Sequence, residues 1–485
     1  MIARPKPSRD VVLKIAVRAR GFVARRLQPS VAALSIAVAA SGCLVGPNYK
    51  RPPTTQPDTY RGADEAQTSA SIADEKWWQI FDDDALQTLI RSALEHNDDV
   101  RLAAVRILEA QAQLGITRSD QFPNVSGGLD LIGQRTSAAL GFAPRNVGAI
   151  QIQASAAWEL DFWGKFRRAT EAARAQLLST EWARRAVLTT LVSQVSTAYF
   201  DLRALDLELD ISRRTLESRK ESLQLAQVRE RGGVTSLLDV RQAEQLVYSA
   251  SGEIATLERE IAQQENFLSF LLGDNPGPID RGKPLADQPH RPDVPAGLPS
   301  ALIERRPDIQ QAEQAIVAAN AQIGVARAAY FPQITLTGSG GFESTALASL
   351  FTASNVIWAA AASATAPIFT AGRTRSQVAL AEARREEATI AYQQTIRQAF
   401  REVSDALVGY RKLREFREQQ AQLFNAAQDA RRLAQVRYEG GVTSYLEVLD
   451  ADTRLFDAEL GLVQADLGER SAFVEIYRAL GGGWQ

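Results

Sequence analysis

The sequence predicts a mainly α-helical protein with a membrane β-sheet portion, written as two copies of one unit. Three observations carry that prediction. A helical pattern runs from just after Gly164 to Arg231 with no proline or glycine inside, and a second long run spans Arg373 to Glu439. Runs of alternating apolar and polar residues precede each of them, the period of a half-buried strand. The stretch RERGGVTSLLDVR at 229–241 returns as RYEGGVTSYLEVL at 437–449, and 441 − 233 places the paired glycines 208 residues apart.

The amino terminus reads as an address. Residues 1–42 carry eight Lys or Arg against one Asp, then the apolar stretch VAALSIAVAA at 31–40, too short to span a membrane. An amphipathic surface helix is the rival reading. Ala40-Ser41-Gly42-Cys43 resembles a lipobox, with the sole cysteine of the chain as the lipidated residue and Leu44 after it, which implies the outer membrane. Signal 1–42 and a lipidated extension 43–75 are therefore expected.

Two repeats follow, 76–274 and 301–485, joined by a proline-rich connector at 275–300. AQLGITRSDQFP at 112–123 matches AQIGVARAAYFP at 321–332, and Asn97-Asp98-Asp99-Val100 matches Arg306-Pro307-Asp308-Ile309. Each repeat opens with a helix and then changes period. Val125, Leu129 and Leu131 alternate with Ser126 and Asp130; Ile150, Ile152, Trp158 and Leu160 alternate with Gln151, Gln153 and Glu159. Ile334, Leu336 and Phe342 repeat the pattern, and the Ala-rich run 355–367 is a poorer fourth strand. At about 3.3 Å per residue, runs of about 13 residues cross a bilayer even when tilted. A soluble hairpin is the bland alternative. Four membrane strands cannot close a barrel, because open edges in lipid leave backbone groups unsatisfied. Several chains must then share one barrel.

In the long helix, Leu188, Val195, Leu202, Leu209, Leu216 and Leu223 recur every seven residues, a coiled-coil seam that needs neighbouring helices. Gly232-Gly233 and Gly440-Gly441 end the long helices, and Val-Thr-Ser starts the next ones. The repeated stretch is thus a pair of hairpin tips, expected at the end remote from the strands.

Composition excludes several classes. Removing the +7 of residues 1–42 from the formal charge of −2 leaves −9, an acidic body unsuited to nucleic acid. One cysteine allows no internal disulfide, and two histidines, His96 and His290, predict no His or Cys metal site. No catalytic spacing stands out, so neither an enzyme nor a cofactor is expected.

The chain resembles the TolC-like outer-membrane factors of tripartite efflux systems, specifically the NodT-type lipoprotein branch. The likeness rests on Cys43-Leu-Val-Gly-Pro-Asn-Tyr-Lys-Arg-Pro52, WWQIFDDDALQTLI at 77–90, GLPSALIERRPDIQQAE at 297–313, ALGGGW at 479–484 and the two tips. It implies a homotrimer with a shared twelve-stranded barrel in outer-membrane lipid and a periplasmic α-helical tunnel. It also implies a passive duct fed by an inner-membrane RND transporter through a periplasmic adaptor. By position, Glu447 and Asp450 would ring the constriction, with Leu446 as an apolar plug. Asp239 and Tyr438 would hold the closed state, on turns made by Gly233 and Gly441. Thr443 stands where some members carry a locking arginine. Each role has a plainer rival: Ser236-x-x-Asp239 and Ser444-x-x-Glu447 both fit capping boxes, Leu446 fits a core position, and Tyr438 fits packing. A duct for type I protein secretion and a structural coiled-coil surface lipoprotein are the other functional readings.

Overall fold

The computed structural model describes residues 44–62, 71–135, 137, 146–288, 290 and 294–484. Cys43 and the expected signal 1–42 lie outside the described residues. Two compact units emerge: one takes residues through Arg51, Ala110–Leu177 and Ala315–Ala388, the other Pro52–Glu109, Leu178–Gln314 and Thr389–Gln485. Each unit draws on both repeats, so the spatial units cut across the duplication.

Among the described residues four strands form one antiparallel sheet in the order β1-β2-β3-β4: Asn124–Arg135, Asn146–Leu160, Gln333–Ser344 and Val356–Thr365. The poorer fourth run is a strand after all, and β2 joins β3 across the repeats. Register carries the alternation through the sheet. Leu129 faces Ile152, Ile152 faces Phe342, and Phe342 faces Val356, giving an apolar row. On the opposite face Asp130, Gln151 and Glu343 fall in a polar row. Gly341 lets β2 and β3 approach, since a Cβ there would collide with the Ile152 carbonyl. Every residue of β1 is exposed in the single chain.

The segment after residue 43 is fastened to the ends of these strands. The Val45 N–H donates to the Trp163 carbonyl at 3.1 Å, just past the end of β2. Buried Arg168 donates to the carbonyls of Val45 and Gly46 and to Asn48 Oδ1, and Asn320 Nδ2 donates to the Pro47 carbonyl at 2.8 Å. Gly46, at φ +100°, lies so close to Gly324 that a Cβ could not fit between them.

Nine α-helices are found among the described residues: α1 Trp77–Ile80, α2 Asp84–His96, α3 Asp98–Ser119, α4 Lys165–Arg231, α5 Leu237–Leu272, α6 Pro299–Arg305, α7 Pro307–Ala328, α8 Arg373–Glu439 and α9 Tyr445–Ala479. The long pair, α4 and α8, have 67 residues each. Gly409 sits inside α8 without breaking it, because its neighbours propagate the helix and a single glycine costs only about 1 kcal/mol. In the seam of α4, Val195 and Leu202 are fully buried, whereas Leu188, Leu209, Leu216 and Leu223 are half-buried.

In the second unit the motif residues serve the core. Asp83 is buried and caps α2 through the Ala85 and Leu86 N–H groups. Its Oδ2 accepts from the Tyr199 hydroxyl and the Lys283 N–H, both at 3.0 Å, and from Gln288 Nε2 at 2.5 Å. Burial pushes the Tyr199 phenol up to about 12. Arg306, of the ERRPDI motif, pairs with Asp308 at 2.6 Å and Glu402 at 2.9 Å and donates to the Ala479 carbonyl. The closing Gly482 lies against the Tyr477 ring, where a side chain would collide.

Candidate functional site at the paired helix tips

The two repeated turns have one backbone geometry. Gly233 and Gly441 both stand at φ +72°, where a β-carbon is disfavoured and glycine is not. The Val234 N–H donates to the Arg229 carbonyl at 2.9 Å and the Gly233 N–H to that of Glu230 at 2.9 Å. Val442 to Arg437 and Gly441 to Tyr438 repeat these bonds at 2.9 and 3.1 Å. Both are Schellman endings, which satisfy the last helical carbonyls.

The turns pack on each other, in part through the repeat-equivalent pairs Ala226/Ala434 and Val240/Val448. Ala226, Val240 and Ala243 form one buried cluster with Ala434, Tyr445, Val448 and Leu449. Tyr438 lies 5.2 Å from Tyr445 between ring centroids, and the Arg229 guanidinium lies over the Tyr438 ring at 4.6 Å. Tyr438 thus has packing contacts from both hairpins. Leu446 is 58% exposed, so the core reading fails for it within one chain. Its repeat partner Leu238 and the turn residues Val234 and Val442 are exposed too, leaving an apolar fringe on the tips.

The carboxylates divide. Asp239 closes a full capping box: its N–H donates to Ser236 Oγ at 3.4 Å, and the Ser236 N–H returns to Asp239 Oδ2 at 3.1 Å. The Thr235 hydroxyl also donates to Oδ2 and, as the largest influence, holds the carboxyl below its ordinary range. Its hydrogen bonds here are local, and none crosses to Tyr438. Glu447 does not close the equivalent box, and Ser444 makes no side-chain cap bond. The Glu447 carboxylate accepts from the Thr443 hydroxyl and lies 3.6 Å from Arg437 Nε. Asp450, one turn on, is exposed and pairs with Arg454 at 2.9 Å. Each predicted constriction carboxylate thus has a guanidinium on its own chain, which periodicity alone did not bring out.

Sequence reasoning passed over the charged cluster beneath the turns, where Arg219 on α4 and Arg431 on α8 converge on Asp452 of α9. Its signal was available in the duplication, because 208 residues away the arginine positions hold Ala427 and Leu223. A second cluster gathers around one of the two histidines. His290 lies 3.2 Å from Asp466 and 3.4 Å from Glu469, so the fold does gather a mixed His and carboxylate group. Arg470 and Arg417 occupy the same carboxylates, and their two positive charges oppose a cation.

Paired helical hairpins and a four-stranded open sheet are both found in known proteins of similar sequence. The sequence profile of the outer membrane efflux protein family matches residues 89–274 and 298–482. The chain belongs to that family. It is 37% identical over 462 residues to the outer membrane protein OprJ of Pseudomonas aeruginosa, covering 94% of this chain and 96% of OprJ. It is 34% identical over 453 residues to the cation efflux system protein CusC of Escherichia coli, covering 93% and 98%. A solved structure of CusC superposes with a TM-score of 0.83 at 33% identity, over 91% of this chain and all of that one. The open-state MtrE outer membrane channel of Neisseria gonorrhoeae does so with 0.83 at 32%, over 91% and 99%. This protein is an outer-membrane efflux channel component, and its sheet and long helices are the barrel and tunnel portions of that architecture.

Proposed function

We propose that three copies share a twelve-stranded barrel and form a passive duct for small molecules, fed by an inner-membrane RND-type transporter through a periplasmic adaptor. The supporting observation is the open sheet: among the described residues β1 pairs only with β2, and β4 only with β3. Both edges carry unpaired backbone groups that lipid cannot satisfy. The exposed Leu102, Val105 and Leu108 of α3 likewise call for neighbouring chains. One methionine and two histidines give little thioether or imidazole for soft cations, which favours small organic cargo. Cys43 carries the lipid in this reading, since Leu44 and Val45 are held at the foot of β2. Native mass spectrometry of detergent-extracted protein tests both points: three chains are expected, each carrying acyl mass that Cys43→Ser lacks. A monomer retaining its β content refutes the shared barrel, and equal masses refute lipidation.

The paired tips are the gate, with Glu447, Asp450 and exposed Leu446 facing the passage. Three copies of Asp450 around one axis attract cations, moderated by Arg454. In planar bilayers Asp450→Ala leaves Arg454 unopposed and shifts selectivity towards anions, whereas Arg454→Ala shifts it towards cations. Unchanged selectivity in both places the constriction elsewhere.

A further inference from the structure

Arg219 reaches from α4 into the core under the turns, with its side chain only 4% exposed. Its Nε donates to Asp452 Oδ2 on α9 at 3.1 Å and its Nη1 to the Leu246 carbonyl on α5 at 3.2 Å. The guanidinium also lies 5.0 Å from the Phe456 ring centroid. From α8, Arg431 sets its Nε 3.8 Å from Asp452 Oδ1 and donates through Nη2 to Ser218 Oγ on α4 at 3.3 Å. Asp452 and its two arginines thereby link all four helices of the two hairpins.

The duplication shows that packing does not require these charges. At the equivalent positions Arg219 becomes Ala427, which is itself buried, and Arg431 becomes Leu223. The counterpart of Asp452 is Glu244, which pairs with Arg241 on its own helix at 2.6 Å. Apolar residues in place of a buried ion pair are generally neutral or stabilising, whereas removing one partner strands the other charge. An ion cluster therefore differs from apolar packing in being directional and in releasing abruptly. Its placement makes that matter. Asp452 follows Asp450 by two residues, a rotation of about 200° at about 100° per residue, so the two carboxylates point to opposite sides of α9.

We propose that Asp452, clamped between Arg219 and Arg431, is the positioning residue that fixes the rotation of α9 and keeps Asp450 and Glu447 across the passage. Release of the clamp is then the opening step. The proposal rests on the tips being the gate.

The full-length assembled protein in planar bilayers supplies the test, with assembly checked by native mass spectrometry. Asp452→Asn strands two arginines and should raise open-state occupancy by on the order of tenfold, the equivalent of about 1.4 kcal/mol. Asp452→Glu, which keeps the charge, should remain near wild type. Arg431→Leu copies the other repeat and leaves Arg219 paired, so it should assemble even if Asp452→Asn does not, and it should open more readily than wild type. Wild-type occupancy in whichever of Asp452→Asn and Arg431→Leu assembles overturns the clamp, even if thermal stability falls. The selectivity of Asp450→Ala separates the two ideas: altered selectivity with unaltered occupancy leaves the gate in place and removes only the clamp.

Discussion

The first tip and the second differ by little in sequence and by much in what their carboxylates do. Both turns read Gly-Gly-Val-Thr-Ser, and both end their long helix with the same two hydrogen bonds. In the first, Asp239 turns back on Ser236 and Thr235 and completes a cap. In the second, Glu447 is drawn to Arg437 and Thr443 and leaves Ser444 without its side-chain bond. The contrast extends outside the motif. Arg229, the counterpart of Arg437, lies over the Tyr438 ring, whereas Arg437 lies 3.6 Å from the Glu447 carboxylate. Two copies of a turn can thus share a backbone while their acids serve different partners, one a helix cap and the other a guanidinium.

The largest effect expected from this contrast is local unfolding of the first tip. Asp239→Ala removes a complete capping box, worth about 1 kcal/mol, so amide hydrogen exchange over residues 237–243 should accelerate roughly fivefold. Glu447→Ala should change the matching amides of α9 far less. Equal acceleration at both tips would erase the distinction. The Asp239 effect should also depend on pH. Its carboxyl is lowered in the folded protein, chiefly by the Thr235 hydroxyl, so the contribution is fully present above the unfolded value of about 3.9. It is lost as pH falls through the lowered folded value. The ratio of exchange rates between Asp239→Ala and wild type should therefore shrink towards one in strong acid.

A smaller effect sharpens the comparison from the other side. Arg437→Gln removes an exposed pair worth no more than about 1 kcal/mol and frees Glu447 to close its own box on Ser444. Exchange at the start of α9 should stay level or slow slightly. Faster exchange there would show that Arg437 supports the second tip and does not divert its acid.

Much of the fold was legible along the chain because its causes are local. Long helices announce themselves by sustained periodicity, and α4 and α8 end at Arg231 and Glu439, where paired glycines supply the left-handed backbone that stops them. Alternation located β1, β2 and β3, because side chains point to opposite faces of a pleated strand, while the Ala-rich β4 carried a weaker signal. The site was less legible. Glycine and serine positions at the tips followed from turn chemistry, but exposure of Leu446 and packing of Tyr438 depend on what stands opposite them.

The sequence alone thus determined the duplication, the helix lengths, the turn geometry and the absence of a closed barrel in one chain, all of which follow from neighbours within a few residues or from simple counting. Only the tertiary structure decided that β2 meets β3 across the repeats, that Asp83 and Arg306 are buried hubs, and that Asp452 gathers two arginines. A carboxylate bonds to whichever donor the fold brings within about 3 Å. That donor can lie more than two hundred residues away, as Arg219 does from Asp452, where no local pattern records it.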